Sequence, residues 1–190
     1  MTELDARFKA LLTRFSSLTK PLGFRKEGQN FRLFQEDGLC RIVNFQKNRY
    51  NSAEHLEFII NLGVYFEKGK TVSNGRFKEY ECSIRRRISR NVPGPETWWT
   101  IEADTDMDAL FEELRDALDR ANAWFQLFPS KMETIEKLLS GKAQPHCGRL
   151  AMNYGTAKLL VDMGYGDRLY ERIKDSKASM LAELARQIKG

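Results

Sequence analysis

Histidine and cysteine are scarce in this chain, with two and three copies among 190 residues. That scarcity removes much metal and nucleophile chemistry. Cys40, Cys82 and Cys147 are odd in number and lack CxxC spacing, so neither a disulfide framework nor a zinc site is expected. Free thiols fit a reducing cytoplasm, the expected location. His55 and His146 have no second histidine or carboxylate at metal-ligand spacing. His146 and Cys147 are adjacent, so on a regular helix their side chains diverge, and a catalytic Cys–His pair is not expected. Gly-x-Gly phosphate loops and Walker loops are absent as well. No apolar run approaches the ~20 residues of a membrane span. The opening Met-Thr-Glu-Leu-Asp is acidic and lacks an apolar h-region, so no secretory signal is expected. No cofactor or metal is implied, and the reading leans away from an enzyme.

What the chain does have is strand-like alternation. In Leu56–Phe66 the residues Leu56, Phe58, Ile60, Leu62, Val64 and Phe66 share one face, as in a strand with one side buried. Tyr80–Arg90 behaves alike: Tyr80, Cys82, Ile84 and Ile88 fall on one face, Glu79, Glu81, Ser83, Arg85 and Arg87 on the other. Arg86 interrupts the apolar set. Leu39–Lys47 is less regular, with Leu39, Val43 and Phe45 opposite Cys40, Ile42, Asn44 and Gln46. Phe24–Phe34 supplies a hairpin partner, closed by the turn signal Glu36-Asp37-Gly38. Four antiparallel strands in meander order are expected, with Trp98–Ile101 as a candidate fifth. The polar face would then carry Asn44, Gln46, Asn61, Arg85 and Arg87, subject to register, since a one-residue slip reverses a strand's faces.

The chain carries, in order, the blocks Pro21-Leu22-Gly23-Phe24-Arg25-Lys26, Asn30-Phe31, Val43-Asn44-Phe45-Gln46-Lys47-Asn48-Arg49 and Ile60-Asn61-Leu62-Gly63-Val64-Tyr65, followed by the arginines of the fourth strand and Trp98-Trp99. In this order they resemble a bacterial family known as domain of unknown function 4304. The resemblance spans roughly residues 1–128 and implies an α+β domain. It carries no activity that can be transferred.

Helical stripes flank the sheet. Leu4, Phe8, Leu11, Leu12, Phe15 and Leu18 form one, opened by Thr2 and closed by Pro21 and Gly23. Met107, Leu110, Phe111, Leu114, Leu118, Ala121, Trp124, Phe125 and Phe128 form a longer one. The acids at its start (Asp104, Asp106, Asp108, Glu112 and Glu113) suit the positive end of a helix better than a metal. Ser130 opens a short helix ending near Gly141. Gly141–Pro145 looks like a linker. The remainder reads as a helical hairpin, from Leu150 to Val161 and from Leu169 to Ile188 with Asp167 as its cap. The expected fold is therefore α+β: two helices on one face of a four- to five-stranded antiparallel sheet over residues 1–128. A helical extension over 129–190 would pack on that domain or on a partner.

Net charge is +5, with pI near 9.1. Residues 1–103 hold 18 Lys+Arg against 12 Asp+Glu, and the remainder 13 against 14. Arg85 and Arg87, two apart on a strand, would stand ~6.5–7 Å from each other on one face. Such a pair can grip a phosphate, a carboxylate or an acidic patch. Asn44, Gln46 and Asn61 would add neutral hydrogen-bonding groups, and Arg49 would close the end. The competing expectation is that Glu57 or Glu81 neutralises the arginines. These residues point to a non-catalytic protein-interaction module of inhibitor or accessory type. The alternative is a nucleic-acid-binding protein using the same face, with Trp98 or Trp99 as a stacking platform. Self-association through the C-terminal helices is a further expectation.

Overall fold

The computed structural model describes residues 2–69, 77–90, 97–144 and 148–189. Helix α1 (Glu3–Thr19) opens with a capping box: Asp5 N–H donates to Thr2 Oγ1 (3.1 Å), and Thr2 N–H donates to Asp5 Oδ2 (3.2 Å). A 3₁₀ turn, Lys20–Leu22, ends it, and Gly23 leaves that turn at φ 89°, a backbone angle glycine adopts without Cβ strain. The sheet follows: β1 (Arg25–Glu27), β2 (Asn30–Phe34), β3 (Leu39–Lys47), β4 (Leu56–Phe66), β5 (Ile84–Ile88) and β6 (Trp99–Ile101). Every pairing is antiparallel. The order is β1-β2-β3-β4-β5, and β6 also pairs with β4. Residues Ile60–Val64 of β4 take β5, and Leu56–Phe58 take β6.

One face of this sheet carries the main core. Leu39, Val43, Phe45, Leu56, Phe58, Ile60, Leu62, Val64 and Phe66 meet α1 and α2 (Met107–Phe125) there. A chain of aromatic contacts runs through it. Phe15 touches Phe31 and Phe45 (centroids 5.1 and 4.9 Å), Phe45 touches Phe58 (5.7 Å), and Phe58 stacks on Trp99 (5.8 Å). Each such pair adds about 0.5–1.5 kcal/mol beyond its buried area. The predicted parity of β4 is thus the observed one, and of the tryptophan pair Trp99 is the buried ring while Trp98 is partly covered.

The α+β architecture with a C-terminal helical region is the expected one. Differences lie in the detail. The sheet gains the three-residue β1. The run Tyr80–Arg90 is a strand only from Ile84 onward, because Glu79–Glu81 form a 3₁₀ turn. Tyr80 consequently points outward, 67% exposed. Cys82 is buried, but on the reverse face, with Cys40, Ile42 and Phe77 rather than with Ile84. The reverse face was expected to be wet; residues 77–82 cover part of it.

After α2 comes α3 (Lys131–Ser140), N-capped by Ser130. Its first residue ties back to the sheet region: Lys131 N–H donates to Asp37 Oδ2 (2.6 Å), and Lys131 Nζ donates to the Gly69 carbonyl (2.6 Å). The segment expected to be a linker contains β7 (Ala143–Gln144), which pairs with β8 (Gly148–Arg149). The expected helical hairpin is three helices: α4 (Tyr154–Asp162), α5 (Gly166–Ile173) and α6 (Ser179–Lys189). The second stripe breaks at the polar run Lys174-Asp175-Ser176-Lys177, and Asp167 lies inside α5 instead of capping it. Leu160, Leu169, Ile173 and Leu184 belong to the same hydrophobic cluster as Ile135, Leu138 and the sheet core. Among the described residues no helix is long and apolar enough to cross a membrane. Of the loop expected at 67–75 only 67–69 are described, and the irregular stretch expected at 91–95 falls outside the described residues, as do His146 and Cys147.

Two predictions follow from the packing. A Cβ at Gly63 would lie 2.4 Å from Cys82 Sγ and 2.8 Å from Ile42 Cγ2. Gly63→Ala therefore lowers stability by about 1–3 kcal/mol, read as a shift in the urea midpoint. Asp5 titrates at about 2, held down first by its hydrogen bond from Lys47 Nζ (2.7 Å) and then by Thr2. A folded-state pKa below the unfolded one stabilises at pH above ~4 and loses that contribution as pH falls towards 2. The stability gap between wild type and Asp5→Asn should accordingly close over that window in urea titrations.

Candidate functional site

The register of the sheet lines up one polar row on its reverse face. Glu27 opposes Asn30, Asn30 opposes Asn44, Asn44 opposes Asn61, and Asn61 opposes Arg87. Directly opposed residues of neighbouring strands share a face at ~4.5–5.5 Å, so side chains of this length meet. Asn44 Nδ2 donates to Asn30 Oδ1 (2.8 Å). Asn61 Nδ2 donates to Asn44 Oδ1 (3.3 Å) and to Gln46 Oε1 (2.8 Å). Arg87 Nε donates to Asn61 Oδ1 (3.1 Å). Asn61 is only 3% exposed, and these bonds satisfy both ends of its amide. Four of the residues predicted for the site, Asn44, Gln46, Asn61 and Arg87, are therefore brought together by direct hydrogen bonds.

Arg85 sits one row further along, opposite Gly63. Its guanidinium grips Glu79 through two bonds, Nε to Oε1 (2.8 Å) and Nη2 to Oε2 (3.0 Å). Glu79 is 8% exposed, and its hydrogen bonds raise the arginine pKa further above its ordinary range. The arginine is neutralised, as one expectation held, but the acid differs. Glu57 accepts instead from Asn48 Nδ2 (2.7 Å), and Glu81 accepts from the Lys78 N–H (2.5 Å). Glu79 serves because the 3₁₀ turn folds it back over the sheet. Strand alternation placed it beside Glu81 and gave no sign of that turn.

Arg49 is not drawn into this cluster. It lies in the exposed β3–β4 loop, stacked 4.5 Å above its neighbour Tyr50, whose hydroxyl it also contacts. Sequence reasoning passed over Arg32. It is buried on the reverse face, donating to Glu27 Oε2 (2.6 Å) and to the Phe77 carbonyl (2.9 Å), with its guanidinium over the Phe77 ring. Tyr65 stacks on Phe77 at 3.9 Å. Beneath this cover the thiols are inert: burial pushes Cys40 up to about 12 and raises Cys82 as well.

Elsewhere, the acids at the start of α2 have separate tasks. Asp106 caps the helix, Asp108 pairs with Arg14 (2.6 Å), Glu112 with Arg115 (2.7 Å), and Glu113 accepts from Arg90 (2.7 Å) and Trp99 Nε1 (3.1 Å). At the other end of the molecule a shallow groove of about 390 Å³ lies between α4 and α6, lined by Tyr154, Met180, Leu184 and Gln187 with Glu183 and Arg186 at its rim.

The polar row makes a stability prediction. Asn61→Ala leaves the Arg87 and Gln46 ends of the bond set without their buried partner and should cost about 1–3 kcal/mol in urea denaturation. Gln46→Ala removes one acceptor of that set while Asn61 Nδ2 keeps its bond to Asn44, and should cost about 0.5–1.5 kcal/mol, less than Asn61→Ala.

Comparison with known proteins covers the sheet and α2. The family model described as domain of unknown function (DUF4304) matches residues 15–127, from the last turns of α1 to just past α2. No curated protein and no solved structure matches the chain. The match takes in more than half of the sequence and all six strands of the main sheet, so the chain belongs to the DUF4304 family.

Proposed function

We propose that this protein is a non-catalytic, cytoplasmic interaction module that binds an acidic protein surface through the arginine-bearing face and edge of its sheet. The observation that carries this reading is the row ending in Arg87. Hydrogen bonding through Asn61 orients that guanidinium at an exposed edge strand, beside the exposed Arg85. A donor held in place before binding loses less side-chain freedom on contact. The surroundings favour protein over nucleic acid. Arg85 is already neutralised by the buried Glu79, and Glu27, paired with the buried Arg32, stands exposed on the same face, so a polyphosphate backbone would find little unpaired positive charge around Arg85 and would meet the Glu27 carboxylate. A protein of mixed charge can match both signs. Cys40 and Cys82 are free rather than disulfide-bonded, which fits a reducing cytoplasm.

The test is a nuclease-treated pull-down from the source lysate, comparing wild type with Arg85→Glu/Arg87→Glu, each with its melting temperature measured. The expected result is a partner held by wild type and lost by a folded double variant. Identical partners on both proteins would overturn the reading. Binding that depends on nucleic acid and weakens steeply with salt would replace it with nucleic-acid recognition.

A further inference from the structure

His55 stands between two carboxylates that the sequence keeps far apart. Its Nδ1 is 2.7 Å from Glu102 Oε1, and its Nε2 is 3.6 Å from Glu57 Oε1. His55 belongs to the β3–β4 loop, Glu57 to the start of β4, and Glu102 to the corner between β6 and α2. We propose that Glu57, His55 and Glu102 form a pH-sensitive latch that fixes the β3–β4 loop, with Arg49 and Tyr50, against the β6–α2 corner. The switch acts on the loop and is independent of the row that ends at Arg87.

The chemistry follows from the two ring nitrogens. In the imidazolium both are N–H groups, so each faces a carboxylate favourably. The neutral ring keeps one N–H. With that proton on Nδ1 towards Glu102, a lone pair on Nε2 faces the Glu57 carboxylate, and an attraction becomes a repulsion. One metal ion cannot use the three groups together, because the carboxylates sit on opposite nitrogens of the ring. Hydrogen bonding to Glu102, with a smaller contribution from the nearby Glu57 carboxylate, raises the histidine above its ordinary value near 6.5. A folded-state pKa above the unfolded one gives a contribution that is complete below ~6.5 and lost as pH rises through the folded value. The switch therefore works on the neutral to mildly alkaline side.

The two halves of the latch differ in firmness. The corner is fixed independently by Arg7 of α1, which donates to the carbonyls of Glu102, Ala103 (2.7 Å) and Thr105 (2.5 Å). Those bonds do not titrate in this range. The other charged groups at hand are engaged or point to water: Lys47 is paired with Asp5, and Glu54 and Asp104 are exposed. The loop is braced internally by His55 N–H to Ser52 Oγ (3.1 Å), and Asn51 ties it to the start of β4, accepting from Glu57 N–H (2.8 Å) and donating to the Glu57 carbonyl (3.0 Å). Those ties do not titrate in this range, so release of the latch loosens the loop, with Arg49 and Tyr50, about its attachment to β4.

The first measurement is the His55 imidazole titration by NMR, with amide exchange of residues 48–57 below and above its midpoint, corrected for intrinsic rates. Wild type, Glu102→Gln and His55→Gln are compared at matched melting temperatures. The latch predicts a midpoint above 6.5 and loop exchange about threefold faster above it. Glu102→Gln should return the midpoint towards 6.5, and His55→Gln should leave loop exchange independent of pH. A midpoint at or below 6.5, or unchanged loop exchange across the titration, overturns the latch. Neither readout involves a partner, so this failure is distinct from failure of the arginine-face reading.

Discussion

β4 is hydrogen-bonded along both edges and covered on much of both faces, so its register with β3 decides where the other side chains of the sheet go. Pairing Ile60 with Phe45 and Leu62 with Val43 sends the large apolar groups to α1 and α2. The same register pairs Asn61 with Asn44. A slip of one residue would put Asn61 among phenylalanines, where an unpaired amide costs several kcal/mol, and would turn Phe58 and Leu62 away from the helices. The hydrophobic pattern and the amide row thus enforce one alignment from opposite faces.

Gly63 adds a steric condition. With no Cβ there, Cys82 and Ile42 pack directly over the β4 backbone, and the segment 77–82 can lie flat on the sheet. That close approach brings Glu79 to Arg85 and Phe77 to both Arg32 and Tyr65. Part of the reverse face becomes a small second core, and its charges are paired across it. The polar row that ends at Arg87 lies beside that cover. The candidate site is therefore shaped by what the turn leaves open as much as by the arginines themselves.

The C-terminal helices are built on the same economy of charge. Arg168 forks onto Glu136 with bonds of 2.8 and 2.6 Å, joining α5 to α3, and Arg172 donates to the Leu150 carbonyl (3.1 Å) beneath the β7–β8 hairpin. Lys174 pairs with Glu171, Arg186 with Glu183, and Lys189 lies over the Tyr170 ring. The basic side of the last helices is accordingly laced to its own neighbours. What these helices leave to solvent is the small apolar groove by Tyr154 and Met180.

Local pattern determined the elements. Alternation gave β4, the inner face of β5 and, less regularly, β3; helical spacing gave α1 and α2, and the cap signals at Thr2 and Ser130 marked the starts of α1 and α3. Those signals depend on a few neighbouring residues and one buried side, so a single sequence carries them. It also named most of the polar row, because Asn44, Asn61 and Arg87 share the non-core parity of their strands. Tertiary structure alone decided the partners. Glu79 rather than Glu57 or Glu81 holds Arg85 because a 3₁₀ turn interrupts the alternation. Glu102 meets His55, 47 positions away along the chain, because β6 pairs with the start of β4. Arg49, expected to close the end of the site, turns to Tyr50 because its loop carries it away from the strands. The break between α5 and α6 belongs with these: a polar run of four residues outweighs an apolar stripe that continues on either side. Periodicity records which face is buried, whereas the identity of the group across from it depends on chain crossings that no local spacing encodes.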